Sequence, residues 1–288
     1  MTAKVVVICL CYNHEKYVEE ALSSVLAQTY PTELIVVDDA SSDDSVRIIT
    51  EFVKLHSDRT IQTLFFERNA GNCKAFNTAL ELTNADYIID LAADDILLAD
   101  RVEEGVKNME LNQSIAINFT NANYINEEGE FIKSHYEINK AGDAMVKVPQ
   151  GNLFHHILER YFICSPTMMY RASFFKEIGG YDETLAYEDF DIMLRLSRNH
   201  PFSYTDRILV EKRVLSASMS SKQYKKGSRQ LESTLNICKK TFQLLQNKRE
   251  KKAFLRRVAY ESKQAFIHKR FLLFVAFINL EVKTILQK

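Results

Sequence analysis

Three kinds of feature are missing from this sequence, and each absence argues against a class of protein. The apolar stretch near the C-terminus, Phe271–Ile278, has eight residues, whereas a transmembrane helix needs about 20. The five cysteines are odd in number and lack zinc-ligand spacing, which fits a reducing compartment. The segment Met1–Asn13 lacks the basic start and cleavage site of a secretory leader. We therefore expect a cytoplasmic protein, either free or peripheral on the inner face of the membrane.

Two binding motifs are missing as well. No G-x-G-x-x-G turn follows the first predicted strand, which argues against the usual dinucleotide-binding fold. The basic C-terminal region contains no recognised nucleic acid-binding motif, so we expect no nucleic acid partner. With 288 residues, 46% apolar and 26% charged, the chain can form one large globular domain or a domain with an appendage.

Strands and helices alternate through the first hundred residues. The predicted strands are Lys4–Cys11, Leu34–Val37, Thr63–Glu67 and a fourth that begins at Asp86. The predicted helices are Tyr17–Gln28, one that is capped by residues 41–44 and runs through Val53, and Lys74–Leu82. Such alternation with short loops predicts an α/β fold with a mostly parallel sheet that is covered on both faces.

The following region is less regular. Ile115–Thr120 is predicted to be a strand, Leu153–Tyr161 a short helix and Pro166–Arg171 another strand, with polar, irregular sequence before residue 150. A later helix opens with the acids of Glu188-Asp189-Phe190-Asp191. Acids complement the dipole at a helix N-terminus, but three of them in four residues exceed what capping requires.

Two adjacent carboxylates, Asp94 and Asp95, follow the apolar strand that begins at Asp86. Open α/β sheets bind their ligands at the carboxyl ends of strands. Carboxylate oxygens suit Mg²⁺ or Mn²⁺, which usually reach a site with substrate phosphates. Asp100 is the predicted N-cap of the next helix, with Glu103 completing a capping box. Taken alone, the Asp-Asp pair is better explained as a solvated turn with two incidental acids, so a metal site depends on the rest of the chain.

The net charge of −1 conceals an asymmetry along the chain. From Lys222 to Lys288 there are 17 Lys or Arg against 4 Glu, a net charge of +13, which leaves −14 for residues 1–221. Because the basic region also has helical periodicity, we predict a main domain over residues 1–220 and a basic helical extension over residues 221–288. The extension either lies on anionic lipid or packs against its own domain or a second subunit, and the sequence leaves these alternatives open.

Several short motifs occur in an informative order over about residues 4–220. They are Tyr12-Asn13, Ser24 with Gln28-Thr29, Val37–Asp43, Asn69 with Gly71 and Asn77, Ala92–Asp95, and Glu188-Asp189. As an ordered set they resemble the family 2 glycosyltransferases of the GT-A fold. The family has a Tyr-Asn turn, a Val-Asp-Asp-Gly-Ser-x-Asp loop, an Asn-x-Gly segment, a metal motif and a late acidic pair. The resemblance implies a mostly parallel nucleotide-binding sheet flanked by helices, with the C-terminal helices as an extension.

The resemblance also implies which residues bind the donor, a nucleotide-sugar. The nucleotide-binding set would be Leu10, Cys11, Tyr12, Asn13, Asp39, Asn69, Gly71, Lys74 and Asp94. Within it, Asp39 would accept a hydrogen bond from the base, uracil or thymine, while Asp94 would reach the ribose or support the metal. Asp95 would bind the Mn²⁺ or Mg²⁺ that bridges the diphosphate. Lys74 could lie near the phosphates, but it is better explained as an exposed helix lysine.

On the acceptor side, the resemblance assigns Asp189 as the general base. It would take the proton from an acceptor hydroxyl as that hydroxyl attacks the anomeric carbon, so the reaction would invert the anomeric configuration. Glu188 and Asp191 would support the acceptor side. The expected acceptor is a growing surface glycan or a lipid-linked glycan, and a lipid carrier would explain the basic tail.

Two departures from the family pattern concern the metal. The family often has an acid two places before the metal Asp-Asp, where this chain has Ala92-Ala93. It also often has a late Tyr-Arg-x-His element, and the matching stretch here is Lys212-Arg213-Val214-Leu215, without the histidine. Metal coordination would then depend mainly on Asp95, the diphosphate and water.

The sequence leaves two other functions as alternatives. A nucleotidyltransferase shares a nucleotide-binding sheet with metal-binding acids, but it needs a glycine-rich, basic phosphate loop, for which residues 12–16 are a poor candidate. A non-catalytic sugar- or nucleotide-binding module could keep the fold and lose turnover. The presence of both Asp95 and Asp189 argues against the second alternative.

Overall fold

The computed structural model describes residues 2–186, 188–216 and 229–286, and the chain divides into two compact units. The first unit contains the described residues up to Gly151, together with Ile163–Tyr181 and His200–Leu215. The second contains Asn152–Phe162, Asp182–Asn199 and the described residues from Ser216 onward. The predicted domain boundary at residue 220 lies outside the described residues and stays a prediction.

The elements are numbered here in chain order. The strands are β1 (Val5–Cys11), β2 (Thr32–Asp38), β3 (Ile61–Phe65), β4 (Tyr87–Ala92), β5 (Ile96–Leu97), β6 (Ile117–Ile125), β7 (Phe131–Ser134), β8 (Met169–Arg171) and β9 (Phe202–Arg213). The helices are α1 (Val18–Leu26), α2 (Ser45–Leu55), α3 (Asn72–Glu81), α4 (Arg101–Glu110), α5 (Phe154–Glu159), α6 (Ala172–Glu177), α7 (Glu188–Ser197), α8 (Gln230–Phe242), α9 (Lys248–Ile267) and α10 (Phe271–Leu286).

One half of the sheet in the first unit is parallel. β1 pairs in parallel with β2 and with β4, and β2 pairs in parallel with β3. Val6, Val7 and Ile8 of β1 are completely buried, because α1 packs on one face of the strand and α3 on the other. The unbroken apolar run of β1 is therefore that of a strand buried on both faces, and the predicted parallel sheet covered by helices is confirmed.

The other half of the sheet is mixed. The strand order is β3-β2-β1-β4-β8-β6-β9-β5, and β7 pairs with β6 outside this path. β8 is antiparallel to both β4 and β6, whereas β6 and β9 are parallel. Short antiparallel pairings thus extend a parallel sheet, and the sheet as a whole is mostly parallel, as predicted.

Several boundaries differ from those predicted. Ser165–Thr167 forms a 3₁₀ turn, so β8 is shorter than the predicted strand from Pro166, whose nitrogen has no hydrogen to donate to a ladder. β6 continues to Ile125 despite its polar residues. The buried Asn118 amide donates to the hydroxyls of Ser203 and Thr205, both at 3.0 Å, so the polar group is satisfied inside the sheet.

The predicted capping box at Asp100 is wrong. Asp100 does occupy the N-cap position of α4, but its side chain makes no capping hydrogen bond. Its carboxylate instead pairs with Arg207 at 2.8 Å, and the Glu103 carboxylate accepts a hydrogen bond from the Thr29 hydroxyl at 2.7 Å. Ion-pair and hydroxyl partners from other segments have replaced the local capping bonds.

The second unit is helical in its described part. Phe254 and Val258 of α9 are completely buried in it. The Arg198 guanidinium binds both carboxylate oxygens of Glu250 at 2.9 Å, a bidentate geometry that is stronger than a single ion pair. The helical character that was predicted for the C-terminal region is confirmed by α8, α9 and α10. None of the helices in the described ranges has the length and apolar content that crossing a bilayer requires.

The last helix, α10, leaves an apolar face uncovered. Its buried residues are Phe277, Leu280 and Thr284. The exposed apolar residues, which we call the α10 stripe, are Phe271, Leu272, Val275, Ile278, Val282, Ile285 and Leu286, each between 36% and 89% exposed. An exposed apolar patch of this extent is typical of a surface that contacts a membrane or another protein.

Candidate active site

The strand register of the first unit brings three of the predicted motifs to one edge of the sheet. Cys11 of β1 lies opposite Asp38 of β2, and Leu10 of β1 lies opposite Ala92 of β4. Because these strands are parallel, the segments that follow them emerge at the same side. We call residues 10–14, 38–45 and 92–95 the carboxyl edge.

The Tyr-Asn turn is held against the loop after β2 by hydrogen bonds. Asn13 has a φ of 58°, a left-handed conformation that asparagine tolerates better than most residues. Its backbone N–H donates to the Ser41 hydroxyl at 2.8 Å, and its side-chain oxygen accepts from the Ser42 N–H at 2.7 Å. The N–H of His14 donates to the Ser45 hydroxyl at 3.1 Å. Asn13 therefore has a structural function in joining the two loops.

Asp39 is buried and organises the segment after β3. Its two carboxylate oxygens accept hydrogen bonds from the N–H groups of Ala70 at 2.7 Å and Gly71 at 2.8 Å. Gly71, with a φ of 88°, precedes α3 in a backbone conformation that favours glycine. The Asn69 amide donates to the Asp39 carbonyl at 3.3 Å. Each carboxylate oxygen has a second lone pair, so the role of Asp39 in base binding stays a prediction.

We expect Asp39→Asn to lower the free energy of unfolding by about 1–3 kcal/mol, because the amide would leave one of the two part-buried backbone N–H groups without an acceptor. Urea unfolding measures the change. Asp44→Asn, an exposed acid at the N-cap of α2, is the matched control and should change stability by less than about 0.5 kcal/mol. Equal stability of the two variants would contradict the anchoring role of Asp39.

The other predicted nucleotide-binding residues differ in their exposure. Leu10 is half-buried, and the Cys11 thiol is buried, which raises its pKa to about 12 and leaves it protonated. The Tyr12 ring is 48% exposed at the carboxyl edge. Lys74 is exposed on the first turn of α3. Thus Tyr12 and the backbone around it are accessible from solvent at the edge.

The Asp94-Asp95 pair lies at the end of β4, in two different environments. Asp94 is half-buried, whereas Asp95 is only 3% exposed. The Oδ1 atom of Asp95 accepts a hydrogen bond from the Arg213 backbone N–H at 2.9 Å. Burial, reinforced by the negative charge of Asp94, raises the pKa of Asp95 to about 8. Asp95 is therefore a carboxyl whose ionised form needs a nearby positive charge.

His14 is a further polar group at this edge that the sequence reasoning did not assign. Its Nδ1 atom lies 3.8 Å from the Oδ1 atom of Asp94. This nitrogen is buried and has no hydrogen-bond partner within the described part of the chain. A buried polar atom without a partner is uncommon in folded proteins. Only its position directly after Tyr12-Asn13 could have signalled it.

Arg213, at the end of β9, lies beside Asp94 and Asp95. The sequence reasoning did not assign it a role. Its Nε atom donates to the Asp94 carbonyl at 3.2 Å, and an Nη atom lies 2.6 Å from the Glu20 carboxylate. The other Nη atom donates to the carbonyls of Asn126 at 3.1 Å and Glu127 at 3.3 Å. The residue is 4% exposed. Arg213 therefore fixes the backbone that carries the two aspartates.

The carboxyl edge fits a divalent cation whose shell is only partly supplied by the protein. A cation beside Asp95 would relieve the unfavourable burial that raises its pKa. Asp94 and the unpartnered Nδ1 of His14 are the neighbouring donors. Residues 2–186, 188–216 and 229–286 contain no group of three His, Cys, Asp or Glu side chains placed to hold a metal ion. Phosphate oxygens and water would have to complete the coordination.

The late acidic residues lie in the second unit, on the first turn of α7. Asp191 is 2% exposed; its oxygens lie 2.6 Å from Arg195 Nε and 3.6 Å from Lys240 Nζ. Glu188 is 9% exposed, whereas Asp189 is half-buried. Asp191 is therefore neutralised by cations of its own unit, and Asp189 is the most accessible of the three acids.

Comparison with known proteins decides the family. The model of Glycosyl transferase family 2 matches residues 6–179, more than half of the chain. The chain belongs to glycosyl transferase family 2. The matched residues of this family 2 chain include the carboxyl edge and end before α7, so Asp189 and Arg213 lie beyond them.

Named relatives agree with this assignment. Over 216 residues the family 2 chain is 27% identical to an uncharacterized glycosyltransferase of Methanocaldococcus jannaschii, and the match covers 72% of this chain and 70% of that protein. Over 200 residues it is 30% identical to the chondroitin synthase of Escherichia coli, and this match covers 68% of the chain. The chain spans only 27% of the length of the chondroitin synthase.

Solved structures show the fold. The S. aureus TarS 1–349 structure with UDP-GlcNAc has a TM-score of 0.69 at 18% identity, covering 91% of this chain and 72% of that one. The mannosyltransferase PcManGT of Pyrobaculum calidifontis with GDP-Man and Mn²⁺ has a TM-score of 0.67 at 15% identity, covering 100% and 76%. The GT-A fold predicted for the family 2 chain is confirmed.

Proposed function

We propose that this chain is an inverting, metal-dependent hexosyltransferase. It moves a sugar from a UDP-sugar to a hydroxyl group of a glycan or lipid-linked acceptor during the synthesis of a surface polysaccharide. Family membership, the UDP-GlcNAc bound by TarS and the name of the chondroitin synthase relative support it. The observation that carries the proposal is the carboxyl edge, where the buried Asp95 lies at the end of β4, next to β1 and its Tyr12-Asn13 turn.

The donor nucleotide binds at the carboxyl edge in this proposal. The Tyr12 ring and the backbone of Leu10 and Cys11 contact the nucleoside. Asp39 uses a second lone pair to accept the ring N–H of uracil, while its other hydrogen bonds keep Gly71 in place. These hydrogen bonds therefore hold the Asp39 carboxylate in position for the base before the nucleotide-sugar binds, which reduces the entropic cost of binding.

Asp95 and Asp94 would hold the Mn²⁺ or Mg²⁺, with the Nδ1 atom of His14, 3.8 Å from Asp94 Oδ1, as a further donor. A divalent cation at this position would neutralise the charge that develops on the departing nucleoside diphosphate. Arg213 keeps Asp95 in place through its backbone N–H, so that the carboxylate does not reorganise during the reaction.

Asp189 acts on the acceptor. Its carboxylate takes the proton of the acceptor hydroxyl, and the oxygen attacks the anomeric carbon of the donor sugar. The new carbon–oxygen bond forms as the bond to the diphosphate breaks, and UDP departs with that electron pair. Attack from the face opposite the leaving group inverts the anomeric configuration.

A transfer assay tests this function. The protein is incubated with Mn²⁺, a panel of UDP-sugars and simple glycan acceptors, and UDP release is measured while proton NMR identifies the anomer of the product. We expect acceptor-dependent release of UDP and a β-linked product from an α-linked donor. A product that retains the α configuration would contradict the single displacement, and the absence of UDP release from every donor would contradict the choice of UDP-sugars.

Contact with an anionic membrane is the remaining part of the proposal, and the α10 stripe supports it. The exposed Lys269 lies just before the stripe, and the exposed Lys283 lies on the last turn of α10. The region from Lys222 onward carries a net charge of +13. Two copies of such a region repel each other, whereas an anionic bilayer attracts it. Charge therefore favours lipid over a second copy of the chain.

We expect the double variant Leu272→Gln/Val275→Gln to bind vesicles of phosphatidylglycerol and phosphatidylcholine about tenfold more weakly than the wild type, since two exposed apolar side chains are lost. Co-sedimentation measures binding. Leu111→Gln, which removes an 82% exposed leucine of the first unit, is the control and should leave binding unchanged. Unaltered sedimentation, or a dimer that the double variant abolishes, would contradict membrane contact.

A further inference from the structure

The second unit contains a polar cavity that none of the residues assigned to the transfer reaction line. A cavity of about 220 Å³ lies between α5 and the first turns of α9. It is lined by His155, His156, Glu159, Arg249, Lys252, Ala253 and Arg256, and we call it the α5–α9 pocket. The four α9 residues recur at helical spacing and so share one face of that helix.

The charge of the α5–α9 pocket is positive. Three of its residues are Lys or Arg, against one carboxylate. That carboxylate, Glu159, is paired with Arg256. Arg249 and Lys252 form no ion pair with any described residue. The pocket also lies at the N-terminal turns of α9, whose dipole favours negative charge. An anion would therefore be stabilised here by two uncompensated cations and by the helix.

The two histidines of the pocket supply hydrogen-bonding groups. Their rings are in contact, with centroids 3.9 Å apart. The Nε2 atom of His155 is buried and, within the described ranges, has no hydrogen-bond partner. A buried ring nitrogen without a partner is uncommon unless something else satisfies it. Burial, together with the positive charge of Arg249, lowers the pKa of both imidazoles, so an anion in the pocket would restore their affinity for protons.

We propose that the α5–α9 pocket binds a phosphate group. A phosphate offers several acceptor oxygens to Arg249 and Lys252, beside the imidazoles of His155 and His156 that line the pocket, and charge-assisted hydrogen bonds of this kind are among the strongest. Two sources share this chemistry: the phosphate of a lipid, such as a lipid-linked acceptor, and free phosphate or pyrophosphate in solution. Only the lipid-linked acceptor as a source rests on the proposed function.

The test follows the imidazole NMR signals of His155 and His156, assigned with the variants His155→Gln and His156→Gln, during titration with pyrophosphate without divalent metal. These signals report the pocket itself, so binding elsewhere does not move them. We expect saturable shifts in the wild type. The variant Arg249→Gln/Lys252→Gln should raise the Kd at least about tenfold. Both substituted residues are exposed, so the fold should tolerate the change.

The matched control is Lys263→Gln, which removes an exposed charge from the same helix outside the pocket. It should change the Kd by less than about twofold. A second titration uses a short-chain, water-soluble phosphatidic acid. Tighter binding than that of pyrophosphate would indicate a lipid source, and weaker binding a soluble one.

Two results would overturn the proposal: no shift of either histidine at millimolar pyrophosphate, or equal losses of affinity in the pocket variant and in Lys263→Gln. The second result would indicate diffuse attraction to a basic surface. UDP release is measured on the same preparations. Intact histidine shifts without turnover would contradict the proposed function alone, and turnover without shifts would contradict the pocket alone.

Discussion

Asp189→Asn is expected to lower kcat by about 10²–10⁴-fold, the range over which general bases contribute, while the Kd for the donor stays within twofold of the wild type. The substitution keeps the size of the side chain and removes its basicity. Because Asp189 is proposed to act on the acceptor hydroxyl and not to contact the donor, the substitution should lower kcat without changing the Kd for the donor. Calorimetry with the donor nucleotide and a UDP-release assay measure the two quantities on the same protein.

Glu188→Gln provides the internal comparison, because the two acids are adjacent on the first turn of α7. Glu188 is buried, whereas Asp189 is half-buried, so only Asp189 combines basicity with access to a substrate. We expect the Glu188 variant to retain at least about a tenth of the activity. A larger loss in Glu188→Gln than in Asp189→Asn would reassign the base, and a parallel loss of donor binding would remove Asp189 from the acceptor side.

Asp95→Asn is expected to weaken Mn²⁺ binding by about 10–100-fold, since it removes the charge of the proposed carboxylate ligand, and yet to stabilise the metal-free protein. The folded-state pKa of Asp95, about 8, lies above the ordinary value of 3.8. Its contribution to stability is therefore present in full below the unfolded pKa and is lost as the pH rises through about 8. The asparagine cannot ionise, so the variant does not lose that stability.

Thermal unfolding measures this difference. At about pH 7.5 without metal, the Tm of Asp95→Asn should exceed that of the wild type by about 3–6 °C, and the two should converge near pH 4. In the presence of UDP, addition of Mn²⁺ should raise the Tm of the wild type and leave that of the variant almost unchanged. Asp94→Asn is a useful comparison, because it removes the negative charge that adds to the effect of burial on the pKa of Asp95. A variant that is less stable than the wild type without metal would contradict this account.

The first half of the fold was predictable because local patterns decide it. A strand that is buried on both faces needs an unbroken apolar run such as Val5–Cys11, and the helices between the strands need apolar residues at helical spacing. The parallel register then places Asp94 and Asp95 at the carboxyl edge without further information. The mixed half of the sheet was harder to predict from the sequence. Asn118, Ser203 and Thr205 are polar and do not follow a strand pattern, and their hydrogen bonds to one another form only when β6 and β9 pair.

The site was predictable to a similar degree. Asp39 could be singled out from its motif, but its bonds to Ala70 and Gly71 depend on the tertiary fold. Arg213 lies more than a hundred positions after Asp95. The sequence comparison singled out its segment only because the family's histidine is missing there. A single sequence does not reveal that an arginine so distant supplies the backbone N–H that holds the buried aspartate. Local patterns reveal which groups are present, whereas long-range contacts decide which of them meet.

The most direct test of the central claim is a calorimetric titration of UDP into the wild-type protein, with and without Mn²⁺, repeated with Asp95→Asn. The account predicts UDP binding that is strengthened at least about tenfold by Mn²⁺ in the wild type and is indifferent to Mn²⁺ in the variant. Equal Mn²⁺-dependent binding of UDP by both proteins would contradict the metal site at Asp95. Absence of UDP binding under every condition would contradict a UDP-sugar donor at the carboxyl edge.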